Sequence, residues 1–262
     1  MYRLIRQIQV NVPFTMLCET YLGLFIRHRL NPEIGFDANA LDRYSLSDFS
    51  AIAQQLHEQG LTVTIHGPFM DLSPGSPDPA IGAVTHQRFE QVLRLISMFK
   101  PKTVVFHAGY ERKRYAFMRD IWIENSLKMW SWLGSRVKDA GAVLMLENVY
   151  EDGPEDIKVL FENLKNDSVG FCLDVGHQAV FSTTPLEIWL EALGPYLGQV
   201  HLHDNNGKKD DHLALGKGKV NFKPLITYFK TQTQNPLVIT LEPHRKEDLW
   251  SSFESLEKIW PW

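Results

Sequence analysis

Eight short apolar segments alternate along this chain with longer amphipathic ones. The apolar segments cover residues 5–10, 32–36, 61–67, 102–109, 142–148, 169–174, 198–203 and 236–244. Continuous apolar runs separated by helical segments are typical of parallel strands that are buried on both faces. The chain has 262 residues, which suits one α/β barrel, and no linker or low-complexity tract divides it. The pattern therefore predicts a single (β/α)8 TIM-barrel domain over residues 1–262.

Polar side chains that commonly bind metal ions close six of these apolar segments. In strands three to eight they are His66, His107, Glu147, Asp174, His201 and Glu242. Any one of them could be a hydrogen-bonded core residue, but burying such a group unpaired costs several kcal/mol. Active sites of these barrels lie where the C-terminal ends of the strands meet. The sequence therefore predicts one metal site at that mouth.

Three further residues can reach the same mouth. His177 lies three residues beyond Asp174, on the turn after strand six. Asp210 and His212 lie in the long, glycine-rich loop after strand seven, where Asp211 is an alternative to Asp210. Together with the six strand-end residues they make a set of nine predicted metal ligands.

Seven motifs resemble those of a known superfamily: HGPF, FHAG, LEN, LDVGH, HLHDN, DDHLALGKG and LEP. The chain resembles the xylose-isomerase-like TIM barrels, which include endonuclease IV and many sugar isomerases and epimerases. Its ligand set is closest to the endonuclease IV branch, where the resemblance implies three zinc ions. One would bind His66, His107 and Glu147, a second Glu147, Asp174, His201 and Glu242, and a third His177, Asp210 and His212. In the isomerase branch the resemblance implies one metal, bound by Glu147, Asp174, His201 and Glu242.

The two branches use such residues for different chemistry. Five imidazoles and four carboxylates suit zinc or manganese better than magnesium, which prefers oxygen ligands. Two or three ions clamp phosphoryl oxygens and lower the pKa of a bridging water to around 7, as in hydrolases of phosphodiesters and phosphate esters. With one ion, Glu147 and Glu242 would be the catalytic base and acid of a sugar or sugar phosphate isomerase or epimerase. Because the isomerase leaves His66 and His107 without a required role, we expect the hydrolase and keep the isomerase as the alternative.

The expected substrate is a small nucleotide-like, phosphorylated or sugar-like molecule. The formal charge of −4 gives no electrostatic footprint for nucleic acid, and the loops after strands two and three have no arginine-rich tip, so abasic DNA is a less favoured substrate. The residues expected to contact substrate are His203, Lys217, Phe69 and Tyr110. Lys217 stands in LGKG, where the family usually has LGEG, and it would favour an anion. A non-catalytic binding barrel is a third hypothesis, against which the complete ligand set argues.

Compartment and assembly follow from composition. The N-terminal residues lack the long apolar stretch of a signal peptide, and no segment approaches a membrane span. Two scattered cysteines, Cys18 and Cys172, indicate a reducing compartment, so we expect a cytoplasmic protein. Tryptophans on the long fourth helix and at the C-terminus are typical of packing against the barrel or a second subunit, which makes a homodimer a further expectation: Trp122, Trp130, Trp132, Trp250, Trp260 and Trp262.

Overall fold

Eight parallel strands form a closed barrel. The computed structural model describes residues 2–231 and 237–259. The strands are β1 Gln9–Pro13, β2 Asn31–Gly35, β3 Thr64–His66, β4 Thr103–His107, β5 Val143–Glu147, β6 Val169–Asp174, β7 Leu197–Leu202 and β8 Val238–Leu241. Each strand pairs with the next along the chain, and β8 pairs with β1. The predicted (β/α)8 barrel is confirmed.

Helices follow the strands and cover the outside of the barrel. The longer ones are α1 Leu22–His28, α2 Leu46–Glu58, α3 Pro79–Phe99, α4 Arg119–Asp139, α5 Lys158–Asn163, α6 Val175–Phe181, α7 Leu186–Leu193, α8 Lys223–Thr231 and α9 Lys246–Ile259. Further helical segments, which carry no label here, include Tyr2–Ile5, Phe14–Met16, Ala38–Arg43 and Arg112–Tyr115, with a π-helical turn at Leu17–Tyr21. Ser45 caps the N-terminus of α2: its hydroxyl accepts the Asp48 N–H, while the Asp48 carboxylate accepts the Ser45 N–H.

The first strand begins later than predicted. The sequence pattern placed it at residues 5–10, whereas the structure has a helical turn at Tyr2–Ile5 and starts β1 at Gln9. Leu4 and Ile5 are buried in that helical turn. A short apolar run does not distinguish a buried turn from a strand, which explains the error.

The buried side chains form two layers, one between the strands and the helices and one inside the barrel. Between strands and helices the side chains are apolar, and Trp122 and Trp130 of α4 are fully buried there, so these two rings pack within the subunit. Trp260 and Trp262 lie outside the described residues. Inside the barrel, below its mouth, a polar layer contains Glu33, Thr64, Gln199 and Thr240, all 0 % exposed. Among the residues described, no helix is both long and apolar enough to cross a membrane.

Candidate metal centre

The polar residues predicted at the strand ends lie together at one mouth of the barrel. Four of them are the last residues of β3, β4, β5 and β6: His66, His107, Glu147 and Asp174. His201 is the second-to-last residue of β7, and Glu242 directly follows β8. The register sets His107 beside Glu147 and Asp174 beside His201. Their side chains therefore meet at one level of the barrel.

The Glu147 carboxylate lies at the centre of this group. Its Oε2 is 3.0 Å from His66 Nε2 and 3.8 Å from His107 Nε2. Its Oε1 is 3.2 Å from His177 Nδ1 and 3.4 Å from His201 Nδ1. Glu147 is only 1 % exposed, so water contributes little to its solvation. Its two oxygens therefore join the histidines of four separate elements.

A second group surrounds Nδ1 of His201. This atom lies 3.1 Å from Glu242 Oε1 and 4.0 Å from Asp174 Oδ2. Both His201 Nδ1 and Asp174 Oδ2 are buried and have no hydrogen-bond partner. Buried polar atoms without partners are rare in folded proteins and call for an explanation such as a bound ion. These two face each other, as two ligands of one cation would.

A third group lies in the loop after β7 and on α6. Asp210 Oδ2 is 3.3 Å from His177 Nε2 and 3.0 Å from His212 Nε2. The other oxygen, Asp210 Oδ1, is buried without a hydrogen-bond partner. His212 has a φ of 45°, a left-handed conformation that is unfavourable for a histidine. Such strain is held where the surroundings require the side chain in one place, often at functional sites.

In three of these histidines a backbone carbonyl occupies one ring nitrogen, Nδ1, which leaves the other, Nε2, to face the site. Nδ1 of His66, His177 and His212 faces a backbone carbonyl oxygen, at 2.9, 3.1 and 3.2 Å respectively. Since a carbonyl only accepts, each Nδ1 carries a hydrogen. The Nε2 atom of the same ring faces a carboxylate oxygen, which also only accepts, in all three cases. Two acceptors at hydrogen-bond distance need a proton or a metal ion between them, so the residues fit a divalent cation.

The electrostatics of the site favour the same conclusion. In the described part of the chain, the only cationic partners of Glu33, Glu147, Asp174, Asp210 and Glu242 within ion-pair distance are histidines. Burial alone would raise the pKa of Glu33, but the charge and hydrogen bond of His201 outweigh it and hold that pKa at about 2. Burial lowers the pKa of His107 to about 3. The site thus presents ionised carboxylates beside a neutral imidazole, a typical set of ligands for zinc or manganese.

Comparison with known proteins identifies the family. Residues 32–259 match the family described as xylose isomerase-like TIM barrel. The chain belongs to this family. An uncharacterized protein of Methanocaldococcus jannaschii, MJ1614, is 30 % identical over 72 % of this chain and 72 % of its own length. A second uncharacterized protein of the same organism, MJ1311, is 26 % identical over 75 % of this chain and 69 % of its own length.

Solved structures of the same fold include proteins with and without a named activity. The TTHB071 protein from Thermus thermophilus, soaked with ZnCl2, has a TM-score of 0.80 and 25 % identity over 97 % of this chain and 98 % of its own. A D-tagatose 3-epimerase-like protein has a TM-score of 0.78 and 22 % identity, with 97 % and 96 % of the chains covered. The 3-keto-D-glucoside 4-epimerase from E. coli has a TM-score of 0.72 and 16 % identity, with 97 % and 98 % covered. Below 25 % identity the likeness shows the shared fold.

His203, for which a role beside the metal ligands or at the substrate was expected, lies against Asp174 in this xylose isomerase-like barrel. Its Nε2 is 3.1 Å from Asp174 Oδ1, which leaves Asp174 Oδ2 free. The His203 ring stacks on the His212 ring at 3.8 Å with 10° between the planes. Parallel rings cannot both direct in-plane lone pairs at one ion, so His203 and His212 do not share a metal. A Cβ on Gly176 would lie 2.0 Å from the His203 ring, which explains the glycine of the VGH motif.

The other predicted substrate contacts are placed differently from one another. Phe69 is 47 % exposed and stacks on His107 at 4.3 Å, so it forms an apolar wall of the mouth. Tyr110 is 2 % exposed and packs edge-on against Trp122 at 4.8 Å. Since its ring has no free face, the expectation that Tyr110 stacks on substrate is corrected. Lys217 is exposed in the loop after β7, and its contact with substrate stays a prediction.

Sequence reasoning missed two buried carboxylates that support the site. Glu33 of β2 accepts from His201 Nε2 at 3.1 Å. Asp204, directly after His203, accepts four backbone N–H groups in the loop that carries Asp210 and His212. A signal existed for Glu33, because it is a charge inside the apolar run PEIGF. Asp204 looked like an ordinary loop residue, since the backbone groups it binds are invisible in a sequence.

Proposed function

We propose that this protein is a metal-dependent isomerase or epimerase that acts on a small sugar or sugar phosphate. The observation that carries the proposal is the arrangement around His201. Two carboxylates, of Glu147 at the end of β5 and Glu242 just after β8, lie 3.4 and 3.1 Å from the same buried imidazole nitrogen. Asp174 completes a set of four donors from four strands.

The chain's own residues suit proton transfer between adjacent carbons. A divalent cation held by Glu147, Asp174, His201 and Glu242 would polarise a carbonyl and its neighbouring hydroxyl. The Glu147 carboxylate removes a proton from one carbon of the bound sugar. Glu242 then gives a proton to the neighbouring carbon in an isomerase, or to the opposite face of the same carbon in an epimerase. Phe69, stacked on His107, presents an aromatic face to the substrate and limits access of water. Lys217, exposed in the loop after β7, would meet a phosphate on the sugar.

The comparisons give no support to the hydrolase that the sequence led us to prefer. Solved structures of the same fold with a named activity include sugar epimerases, as described above. They agree with the alternative, which uses the ligand set around His201 and needs only one cation. The hydrolase interpretation is therefore second.

A panel of ketoses and ketose phosphates in deuterium oxide tests the proposal. We expect deuterium to enter the carbon next to the carbonyl, and Glu147→Gln or Glu242→Gln to abolish the exchange. Glu90→Gln, on the exposed face of α3, is the matched control and should exchange at the wild-type rate. Full activity of both site variants would contradict the assignment of Glu147 and Glu242.

A multinuclear hydrolase of phosphate esters is the second candidate, because the other two donor groups go beyond what one cation needs. His66 and His107 with Glu147, and His177 and His212 with Asp210, each bring ligand atoms within 4.8 Å of one another. Elemental analysis of protein purified without chelators separates the candidates. One ion per chain, retained in His107→Ala, supports the isomerase. Two or three zinc or manganese ions, with loss of one in His107→Ala, support the hydrolase and direct the assay to phosphodiesters.

A further inference from the structure

Glu33 is a buried carboxylate of β2 that lies below the metal centre, inside the barrel. It is 0 % exposed, and its Oε1 is 3.1 Å from Nε2 of His201. His201 presents the opposite side of the same ring, Nδ1, to Glu147 and Glu242. The imidazole therefore bridges Glu33 and the site.

The surroundings of Glu33 supply only donors. Its Oε2 accepts from Thr64 at 3.0 Å, from Thr240 at 3.1 Å and from the amide of Gln199. Its Oε1 also accepts from Asn11 at 3.3 Å. Within the described residues no lysine or arginine lies within ion-pair distance of this carboxylate, and the imidazole of His201 is its nearest titratable partner. An ionised carboxylate in the barrel interior is costly, so its retention calls for a role beyond packing.

The hydrogen bonds fix which nitrogen of His201 carries the hydrogen. The amide nitrogen of Gln199 also lies 3.1 Å from His201 Nε2 and could in principle donate to it. That amide is oriented by Thr103, whose hydroxyl donates to Gln199 Oε1. Both of its hydrogens are then used by Glu33 Oε2 and Thr240 Oγ1. Nε2 must therefore be the donor to Glu33, and the lone pair is on Nδ1.

We infer that Glu33 is a positioning residue, which holds His201 in the tautomer and ring orientation that direct the Nδ1 lone pair at the cation. The inference rests on the proposed function only in taking His201 as a ligand. The carboxylate partner distinguishes His201 from three other histidines of the site. His66, His177 and His212 donate their Nδ1–H to backbone carbonyls instead. A carboxylate in that place makes the imidazole a stronger ligand, and loss of such a partner typically lowers metal affinity about 10- to 100-fold.

Metal binding by the whole protein tests this without any turnover assay. We would measure the Kd of Mn²⁺ by titration calorimetry for wild type, Glu33→Gln and Thr64→Val. Glu33→Gln should weaken binding by about 10-fold or more. Thr64→Val is the matched control, because it removes one hydrogen bond to Glu33 Oε2 and leaves the Glu33–His201 contact and the Gln199 amide in place. Its Kd should stay near the wild-type value. Equal Kd values for wild type and Glu33→Gln would overturn the inference.

Nitrogen-15 NMR of the zinc-loaded wild-type protein gives a second test that does not depend on folding of a variant. We expect His201 to carry its hydrogen on Nε2. A hydrogen on Nδ1 would overturn the inference even if Glu33→Gln fails to fold. If only the proposed function is wrong, the protein will catalyse no deuterium exchange on sugars, but Glu33→Gln will still weaken Mn²⁺ binding. A wild-type protein that binds no metal would overturn both the proposed function and the role of Glu33.

Discussion

The carboxylate of Asp204 anchors the loop that brings Asp210 and His212 to the site. Asp204 is 2 % exposed, and its Oδ1 accepts the N–H groups of Asn205 and Val220 at 2.8 and 3.0 Å. Its Oδ2 accepts those of Gly216 and Gly218, both at 2.9 Å. An antiparallel bridge between Asp204 and Leu213 closes the loop from the other side. The loop thus folds back on one side chain.

Asp204→Ala removes all four acceptor contacts at once. A hydrogen bond to a charged group contributes about 1.5–3 kcal/mol when buried, but water can reach part of this loop. We therefore count about 1 kcal/mol for each contact and expect the free energy of unfolding to fall by about 3–4 kcal/mol. Asp204→Asn keeps one acceptor oxygen and should lose about half as much.

Urea denaturation measures the free energy of unfolding, and zinc titration measures whether Asp210 and His212 remain in place. We expect Asp204→Ala to weaken zinc binding as well as stability. The matched control is Asp78→Ala, which removes a single bond to Ala80 N at the start of α3 and should cost about 1 kcal/mol with no effect on zinc. If Asp204→Ala unfolds like that control and binds zinc like the wild type, one carboxylate does not anchor the loop and the reasoning fails.

Three other perturbations test separate features. Gly176→Ala should displace the His203 ring from Asp174 and weaken zinc binding. Gly82→Ala on α3, which has open space around it, is the control and should leave zinc binding unchanged. Unchanged zinc affinity in Gly176→Ala would count against the role of His203. Burial raises the pKa of Glu151 from 4.5 to about 7, so its contribution to stability is greatest below about pH 4.5 and falls as the pH rises through about 7. Glu151→Gln should therefore reduce the loss of stability between pH 5 and pH 8 by up to about 3 kcal/mol, as urea titrations would show. Zinc at 100 times its Kd should stabilise the wild type by about 2.7 kcal/mol, and a melting temperature that EDTA leaves unchanged would exclude a cation at the site.

The strand ends of the site could be predicted because barrel topology converts sequence order into position. A residue that closes a buried parallel strand lies at the mouth, whatever the loops do. His66, His107 and Glu147 therefore followed from apolar runs alone, and the structure places both histidines within 3.8 Å of the Glu147 carboxylate. His177 followed too, since one helical turn after Asp174 keeps it on the same side.

Beyond the strand ends, the position of a side chain depends on the local backbone geometry, which the apolar pattern of the sequence does not predict. Tyr110 is three residues past His107, and Gly109, with a φ of 83°, lies between them. The chain turns there, and the ring of Tyr110 enters the core beside Trp122. Glu33 was overlooked for a different reason: its partners come from β3, β7 and β8, and only the closed barrel brings them together.

The charge balance of the site links the number of cations to the chemistry. Burial raises the pKa of Glu242, which favours its proton-donating form. One divalent cation offsets two of the four negative charges of Glu33, Glu147, Asp174 and Asp210, and imidazolium groups must balance the rest, because unpaired buried charges cost several kcal/mol each. Burial opposes protonation of His177 and His212, but nearby carboxylates raise both pKa values, that of His212 to about 9. With one cation, these two histidines are therefore imidazolium groups that pair with Asp210 through Nε2. With two or three cations they are neutral ligands, which suits phosphate ester hydrolysis, so the same residues serve either reaction and the ion count decides between them.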